Sequence, residues 1–315
     1  MNAVILGYGV VGKGIEILAK TLDDINIKYV YVRKEKENLP YFSNNEDMVV
    51  QDDIDIVFEC LNGLEPANTL IQKALKKGKH VISSNKAVVA TYLDTYLELE
   101  KEYGGSIQVE ACVAGGIPFI DALLKLKRLE PLQGYEGIFN GTSNYILDSM
   151  QKNNLDFEDV LKEAQDKGYA EKDPSNDIDG VDVYYKTKIS NSLAFNTPIV
   201  DIPYYAGIRT IKMLDIKFIK MNNKVIRHLS ISRQIDDKII SIIAPCCMDE
   251  NDFLANVPSN YNAQKILSHS FDTLGYYGQG AGQLPTAQAM VQNALDTLEN
   301  LSLIHISEPT RHLRI

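Results

Sequence analysis

Five carboxylates, Glu171, Asp173, Asp177, Asp179 and Asp182, fall within twelve residues, and Lys186 follows four positions after the last. Acids packed this tightly repel one another, so the stretch is poor core material and a natural cradle for a cation. Pro174 and Gly180 keep its first half out of regular helix, which reads as a loop delivering acids to one place. After Gly180, the run VDVYYKTKISNSLAF reads as a helix with Asp182, Lys186, Ile189 and Leu193 on one face. Lys186 then leans towards packed surface, with Asp182 one turn behind it. An ammonium so placed supplies a proton or a positive charge to an oxygen gaining charge, while carboxylates beside it hold a cationic group. The same spacing also suits a solvated ion pair on an exposed helix, and the rest of the chain has to decide between the two.

The elements that must position these groups begin at the N-terminus. MNAVILGYGVVGKG is a short apolar strand followed by Gly7, Gly9 and Gly12 in a G-x-G-x-x-G pattern, with Val10 and Val11 opening an apolar helix. The first glycine permits the tight turn, the second lets backbone approach a pyrophosphate, and the third lets helix pack on strand. Dinucleotide binding is the expectation. The second strand, INIKYVYV, ends in Arg33 and Lys34 where an acid would hold a ribose 2′-hydroxyl, which favours NADP and leaves NAD possible. A cationic pair at a strand end also occurs without any ligand.

Strands DIDIVFECL and KHVISS then alternate with helices PANTLIQKALKKG and NKAVVATYLDTYLELEKEYGG, the pattern of a parallel sheet with crossover helices. Ligands gather at the carboxyl ends of such strands, which places Asn62-Gly63 and Ser83-Ser84-Asn85-Lys86 beside the cofactor, with Leu61 counted among the cofactor-binding residues. Lys86 opens a helix, where a cation opposes the dipole and so points to an anionic or reacting partner. Glu110 lies inside the apolar strand SIQVEACVAGGIP and needs a cation or donors there; carbonyls of the adjacent Gly115-Gly116 turn offer an oxygen cage for a metal ion. The chain is therefore read as α/β, with a Rossmann-type nucleotide-binding domain over residues 1–126. A second, α+β domain on an open mixed sheet follows over 127–282, and a final helix occupies 283–301.

With 315 residues, 45% of them hydrophobic, and no long apolar run, the chain is read as soluble and without a membrane span. A net charge of -10 with dispersed basic residues argues against nucleic acid and leaves a small molecule as substrate. The N-terminus enters a strand without a charged segment, an apolar segment and a cleavage site, so a cytoplasmic location is expected. Cys60, Cys112, Cys246 and Cys247 lack CxxC spacing and histidine neighbours, which favours reduced thiols over zinc or disulfides.

Six motifs, GYGVVG, SSNKAVVA, EACVAGGIP, GIFNGTSNYIL, KGYAEKDPSNDIDGVDVYYK and GQGAGQLPTAQAM, make residues 1–301 similar to the homoserine dehydrogenase family. The resemblance implies reversible NAD(P)-dependent interconversion of L-aspartate 4-semialdehyde and L-homoserine, in threonine and methionine biosynthesis. It also implies a catalytic and dimerisation domain, a homodimer or homotetramer, and a final helix that returns to the nucleotide-binding domain. By position, Lys186 falls on the proton donor and Lys86 on a second active-site lysine. Glu171 and Asp182 fall on substrate-holding acids, and Asp177 on a further active-site acid. Gly168 and Gly282 fall close to the cofactor. Glu110, with the backbone carbonyls of Val113, Gly115 and Ile117, falls on a monovalent cation site, usually sodium. The chain departs from the family's usual residues at Ser83 and Ser84, where Thr and Ala are more frequent, and at Asn62, where a second glycine is frequent. Residues 302–315, SLIHISEPTRHLRI, match nothing in the family and read as a non-native tail; a regulatory ACT domain is not expected. Two competing readings are a semialdehyde dehydrogenase using Cys112 as nucleophile and a non-catalytic NADP-binding redox sensor.

Overall fold

The computed structural model describes residues 1–32, 41–236 and 238–307, with side chains up to residue 299. The chain divides into two units, Met1–Cys112 with the stretch from Gly282 onward, and Val113–Ala281. Arg33 and Lys34 lie outside the described residues. No described helix is long and apolar enough to cross a membrane.

The first unit holds six parallel strands: β1 (Asn2–Leu6), β2 (Asn26–Tyr31), β3 (Phe42–Ser43), β4 (Ile56–Glu59), β5 (His80–Ser83) and β6 (Ser106–Gln108). They are ordered β3-β2-β1-β4-β5-β6. All four residues of β4 are buried, as a strand covered on both faces requires, and so its sequence is an unbroken apolar run until Glu59. The crossovers carry α1 (Val10–Ala19), α2 (Ala67–Leu75) and α3 (Lys86–Tyr103), the last closed by left-handed Gly104. The C-terminal helix, Gln283–Ser307, packs on α1, and its Ala287, Met290 and Ala294 share a core with Ile5, Ile15, Phe58 and Ile82. Gly14 makes this approach possible: a Cβ there would meet Gln283 O at 2.7 Å and the Ala287 Cβ at 2.9 Å. The helix continues to Ser307, beyond Leu301, where the sequence pattern appeared to stop; residues 308–315 are not described.

The second unit contains α4 (Phe119–Leu126), β7 (Gly134–Ile138), α5 (Gly141–Asn153), α6 (Phe157–Asp166), α7 (Ser175–Ile178), α8 (Val181–Phe195) and α9 (Met213–Met221). The strands β8 (Lys224–Ile235), β9 (Lys238–Asp249), β10 (Asn262–Ser268) and β11 (Asp272–Gly278) follow. Its sheet runs β11-β10-β7-β8-β9. Every strand pairing in it is antiparallel, with one isolated parallel bridge between Tyr205 and Ile243, so the expected mixed sheet is an antiparallel one. The boundary between units falls at Cys112, ahead of residue 126, because α4 belongs to the second core. Phe119 packs edge-on against Tyr135 and Phe139 at centroid distances of 5.6 and 5.3 Å. Glu110 is likewise not in a strand: β6 ends at Gln108, and a single 3-10 turn, Glu110–Cys112, carries the carboxylate.

Helix α8 sits on this sheet through a polar seam. Tyr135 Oη donates to Asn191 Oδ1 (2.8 Å), Asn191 Nδ2 donates to Ser241 Oγ (2.9 Å), and Thr187 Oγ1 donates to Ser230 Oγ (2.8 Å). Buried hydroxyls and carboxamides that find partners across the interface fix the helix along its axis more narrowly than interchangeable apolar contacts do.

Candidate active site

In the first unit the turn from β1 into α1 shows what each glycine does. Gly7 has φ +94°, and a Cβ would meet Cys60 O at 2.9 Å; a Cβ on Gly12 would run into Gly7 O. Over Gly9 there is nothing within 4 Å. Gly9 is also the N-cap of α1 and offers no side-chain acceptor, while Val10 is 64% exposed and Val11 half-buried. The first N–H groups of α1 therefore face open space across an absent side chain, a fit for a pyrophosphate.

The ends of β4 and β5 lie beside one another in the sheet. Leu61 is buried and Asn62 exposed after β4; Ser83, the last residue of β5, is buried, and Ser84 after it is half-buried. Lys86, half-buried, is the first residue of α3, whose N-cap Asn85 accepts from Val88 N. Glu59, which sequence reasoning missed, is fully buried at the last position of β4. It accepts hydrogen bonds from Leu61 N (2.8 Å) and Ser83 Oγ (2.6 Å). Burial pushes its carboxyl up to about 7, against the opposing pull of Ser83, Leu61 and Asn85. An acid inside an apolar stretch was the signal that marked Glu110, and Glu59 in DIDIVFECL carries the same signal. Gly282, with φ +129°, leads into the C-terminal helix and belongs to this unit.

In the second unit Lys186 is 7% exposed on α8. Its Nζ pairs with Asp182 Oδ2 at 2.8 Å and donates to Phe139 O at 2.6 Å. A solvated pair is thereby excluded. Asn140, the other residue missed, follows Phe139 as N-cap of α5: its Oδ1 accepts from Ser143 N (2.8 Å). Its Nδ2 donates to both Asp177 Oδ1 (2.6 Å) and Asp182 Oδ2 (2.9 Å). One carboxamide thus draws two acids together. Asp177 is held above the usual carboxylate range, first by burial and then by the charge of Asp182. His228 on β8 is buried and donates from Nε2 to Ala206 O (2.9 Å); burial pushes it down to about 4, which keeps it neutral near pH 7.

Glu171 differs from this group in burial. It is exposed, and its backbone carbonyl accepts from Gln165 Nε2 at 3.1 Å. Gly168, also exposed, has φ +75° in the turn after α6. The acidic loop is partly helical, with α7 set on Pro174, and its remaining acids face outward: Arg209 grips Asp179 with 2.7 and 2.8 Å contacts. Glu110 is 3% exposed and the last acid before the chain enters the second unit, where Val113 and Ile117 are buried and Gly115 adopts φ +60°.

Comparison with known proteins gives a family for both units. The homoserine dehydrogenase family matches residues 118–295, and the homoserine dehydrogenase NAD-binding domain matches residues 7–110. The homoserine dehydrogenase of Pseudomonas aeruginosa is 31% identical over 313 residues, covering 95% of this chain and 72% of that protein. The Neisseria gonorrhoeae enzyme is 38% identical over 251 residues, which are 79% of this chain and 58% of that protein. The chain thus spans less than two thirds of the Neisseria relative. A crystal structure of a Thiobacillus denitrificans homoserine dehydrogenase superposes with a TM-score of 0.90 at 34% identity, over all of this chain and 76% of that one.

Proposed function

Because the chain belongs to the homoserine dehydrogenase family, we propose that it interconverts L-aspartate 4-semialdehyde and L-homoserine with a nicotinamide cofactor. The observation that carries this reading is the buried Lys186 ammonium, tied to Asp182 and Phe139 O beside the two acids that Asn140 joins. An ammonium has three donors, and these two partners leave one for a substrate oxygen.

When bound, the nicotinamide supplies the hydride to the aldehyde carbon. Lys186 donates its proton to the carbonyl oxygen as charge develops there, and takes it back when homoserine is oxidised. Asp182 and Asp177 hold the α-ammonium of the amino-acid substrate, and the exposed carboxylate of Glu171 adds to that cradle from the open side of its loop. In the first unit Gly7, Gly9 and Gly12, with the N–H groups of Val10 and Val11, hold the pyrophosphate. Leu61, Asn62, Ser83 and Ser84 line the strand ends, Gly168 and Gly282 approach the cofactor, and Lys86 adds positive charge. Arg33 and Lys34 select NADP through its 2′-phosphate. Glu110 and the carbonyls of Val113, Gly115 and Ile117 hold a monovalent cation, sodium by preference, as a structural support. The enzyme works in cytoplasmic threonine and methionine biosynthesis as a homodimer or homotetramer.

Cys112 does not serve as a nucleophile in this scheme: its thiol is buried, donates to Ser83 O at 3.0 Å, and is pushed far up by burial and by Glu59. The test is oxidation of NADPH on addition of aspartate semialdehyde, by the wild type and by Lys186→Ala. The wild type should turn over, and the variant should fold and bind NADPH yet lose most of kcat. Phosphate-dependent reduction of NADP would support a thiol enzyme instead, silence with both substrates a sensor, and a wild-type kcat in the variant would refute the role of Lys186.

A further inference from the structure

We propose that Glu59 is a positioning residue for the dinucleotide, a clamp that joins the Leu61–Gly63 loop to the Ser83–Lys86 junction. It sits where the parallel sheet presents its carboxyl ends, the place at which such folds hold ligands. One oxygen accepts from Leu61 N at 2.8 Å, with Asn85 Nδ2 at the edge of reach at 3.5 Å, and the other accepts from Ser83 Oγ at 2.6 Å. Asn85 extends the clamp: its Nδ2 donates to Gly63 O (2.8 Å) and its Oδ1 accepts from Val88 N, so the start of α3, with Lys86 on it, is tied to the loop after β4. A fold needing only a peg here would gain more from an apolar or amide side chain, since a buried carboxylate carries a desolvation cost.

The ionised form suits the clamp, because all its partners are donors. Once protonated, the carboxyl must turn one oxygen into a donor towards Ser83 Oγ, which already accepts from Asn85 N at 3.1 Å. Three titratable groups that face Glu59 do not change charge near neutrality. Cys60 beside it on the chain, Cys112 on the 3-10 turn and Tyr96 on α3 all have burial-raised values that keep them neutral. Lys86 on α3 and Glu110 on the 3-10 turn act electrostatically on Cys112. With the carboxyl titrating at about 7, the clamp tightens as pH rises through that value and loosens as it falls. Cofactor binding, which draws on both chain turns, is then coupled to release of the Glu59 proton.

This inference rests on the first unit holding NAD(P). The dissociation constant for NADPH, followed by its fluorescence from pH 6 to 8.5, is measured for the wild type, Glu59→Gln and Ser83→Ala. Titration of the 2′-phosphate is common to all three proteins and cancels in the comparison. Relative to Glu59→Gln, the wild type should gain up to about tenfold in affinity across the range, the limit set by one coupled proton. Ser83→Ala, lacking a donor to the carboxylate, should move the midpoint to higher pH. Equal pH profiles in wild type and Glu59→Gln overturn the proposal. Should Glu59→Gln not fold, an unmoved midpoint in Ser83→Ala overturns it. A wild type that turns over the semialdehyde with NADPH yet shows either result loses only this inference; one that binds NADPH at no pH loses the preceding reading as well.

Discussion

Asn140 is the residue whose loss the geometry judges most costly after Lys186. Asn140→Ala removes a buried, charge-assisted donor from two carboxylates, and should cost roughly 1.5–3 kcal/mol in substrate binding. The sign of its pH effect follows from Asp177, which must be ionised to hold an ammonium and already titrates above its ordinary range. The binding it contributes is present at higher pH and is lost as pH falls through that raised value. Since Asn140 is among the groups pulling it down, the acid limb of kcat/KM for the semialdehyde should move towards neutrality in the variant. Lys186, Asp182 and Asp177 were legible because helical spacing alone places the first two, and the third lies in the same acidic stretch. Asn140 was not, because its partners lie 37 and 42 residues away and nothing local in GIFNGTSNYIL says which way its amide faces. Glu171 is exposed on its loop, so its place in the cradle rests on the sequence resemblance, with no buried partner to fix its carboxylate. Arg33, outside the described residues, has a prediction that rests on its charge: Arg33→Ala should raise KM for NADPH much more than for NADH in a side-by-side assay.

At the scale of elements, the alternation of apolar runs with helices exposed β1, β2, β4, β5 and their crossovers, whereas the two-residue β3 is too short to show a period and β6 stops at Gln108, short of the run read as a strand. Helix α8 was harder to read. Its buried set includes Asp182, Lys186, Thr187, Ser190, Asn191 and Ser192, so hydrophobic patterning carries little information about the face it packs. What that face requires is paired polar groups, and these are visible only once β7, β8 and β9 are in place. Asn191→Leu should therefore destabilise despite adding apolar bulk, because Tyr135 Oη loses its short acceptor and Ser241 a donor. About 1–3 kcal/mol is expected, read as a lowered denaturation midpoint at unchanged m-value. Gly14→Ala tests the other unit in the same way: its methyl group would press on the C-terminal helix and should cost about 1–3 kcal/mol.

For the molecule as a whole, β9 forms one edge of the antiparallel sheet and exposes Ile240 and Ile242 at 56% and 38%. An apolar edge strand of this kind is a liability unless another chain covers it. Light scattering after chromatography should show a dimer or larger assembly for the wild type and a smaller species for Ile240→Lys/Ile242→Lys; equal masses would remove this strand from the interface. The C-terminal helix bears on a different question, the order in which the protein is made. The first unit begins at Met1 yet completes its core with Ala287, Met290 and Ala294, while everything the second unit needs lies between Val113 and Ala281. On the ribosome the inner unit can close while the outer one still waits for its last segment, with the apolar groove over α1 uncovered throughout. Chaperone dependence and proteolysis of nascent chains should accordingly concentrate in the half that is translated first and finished last.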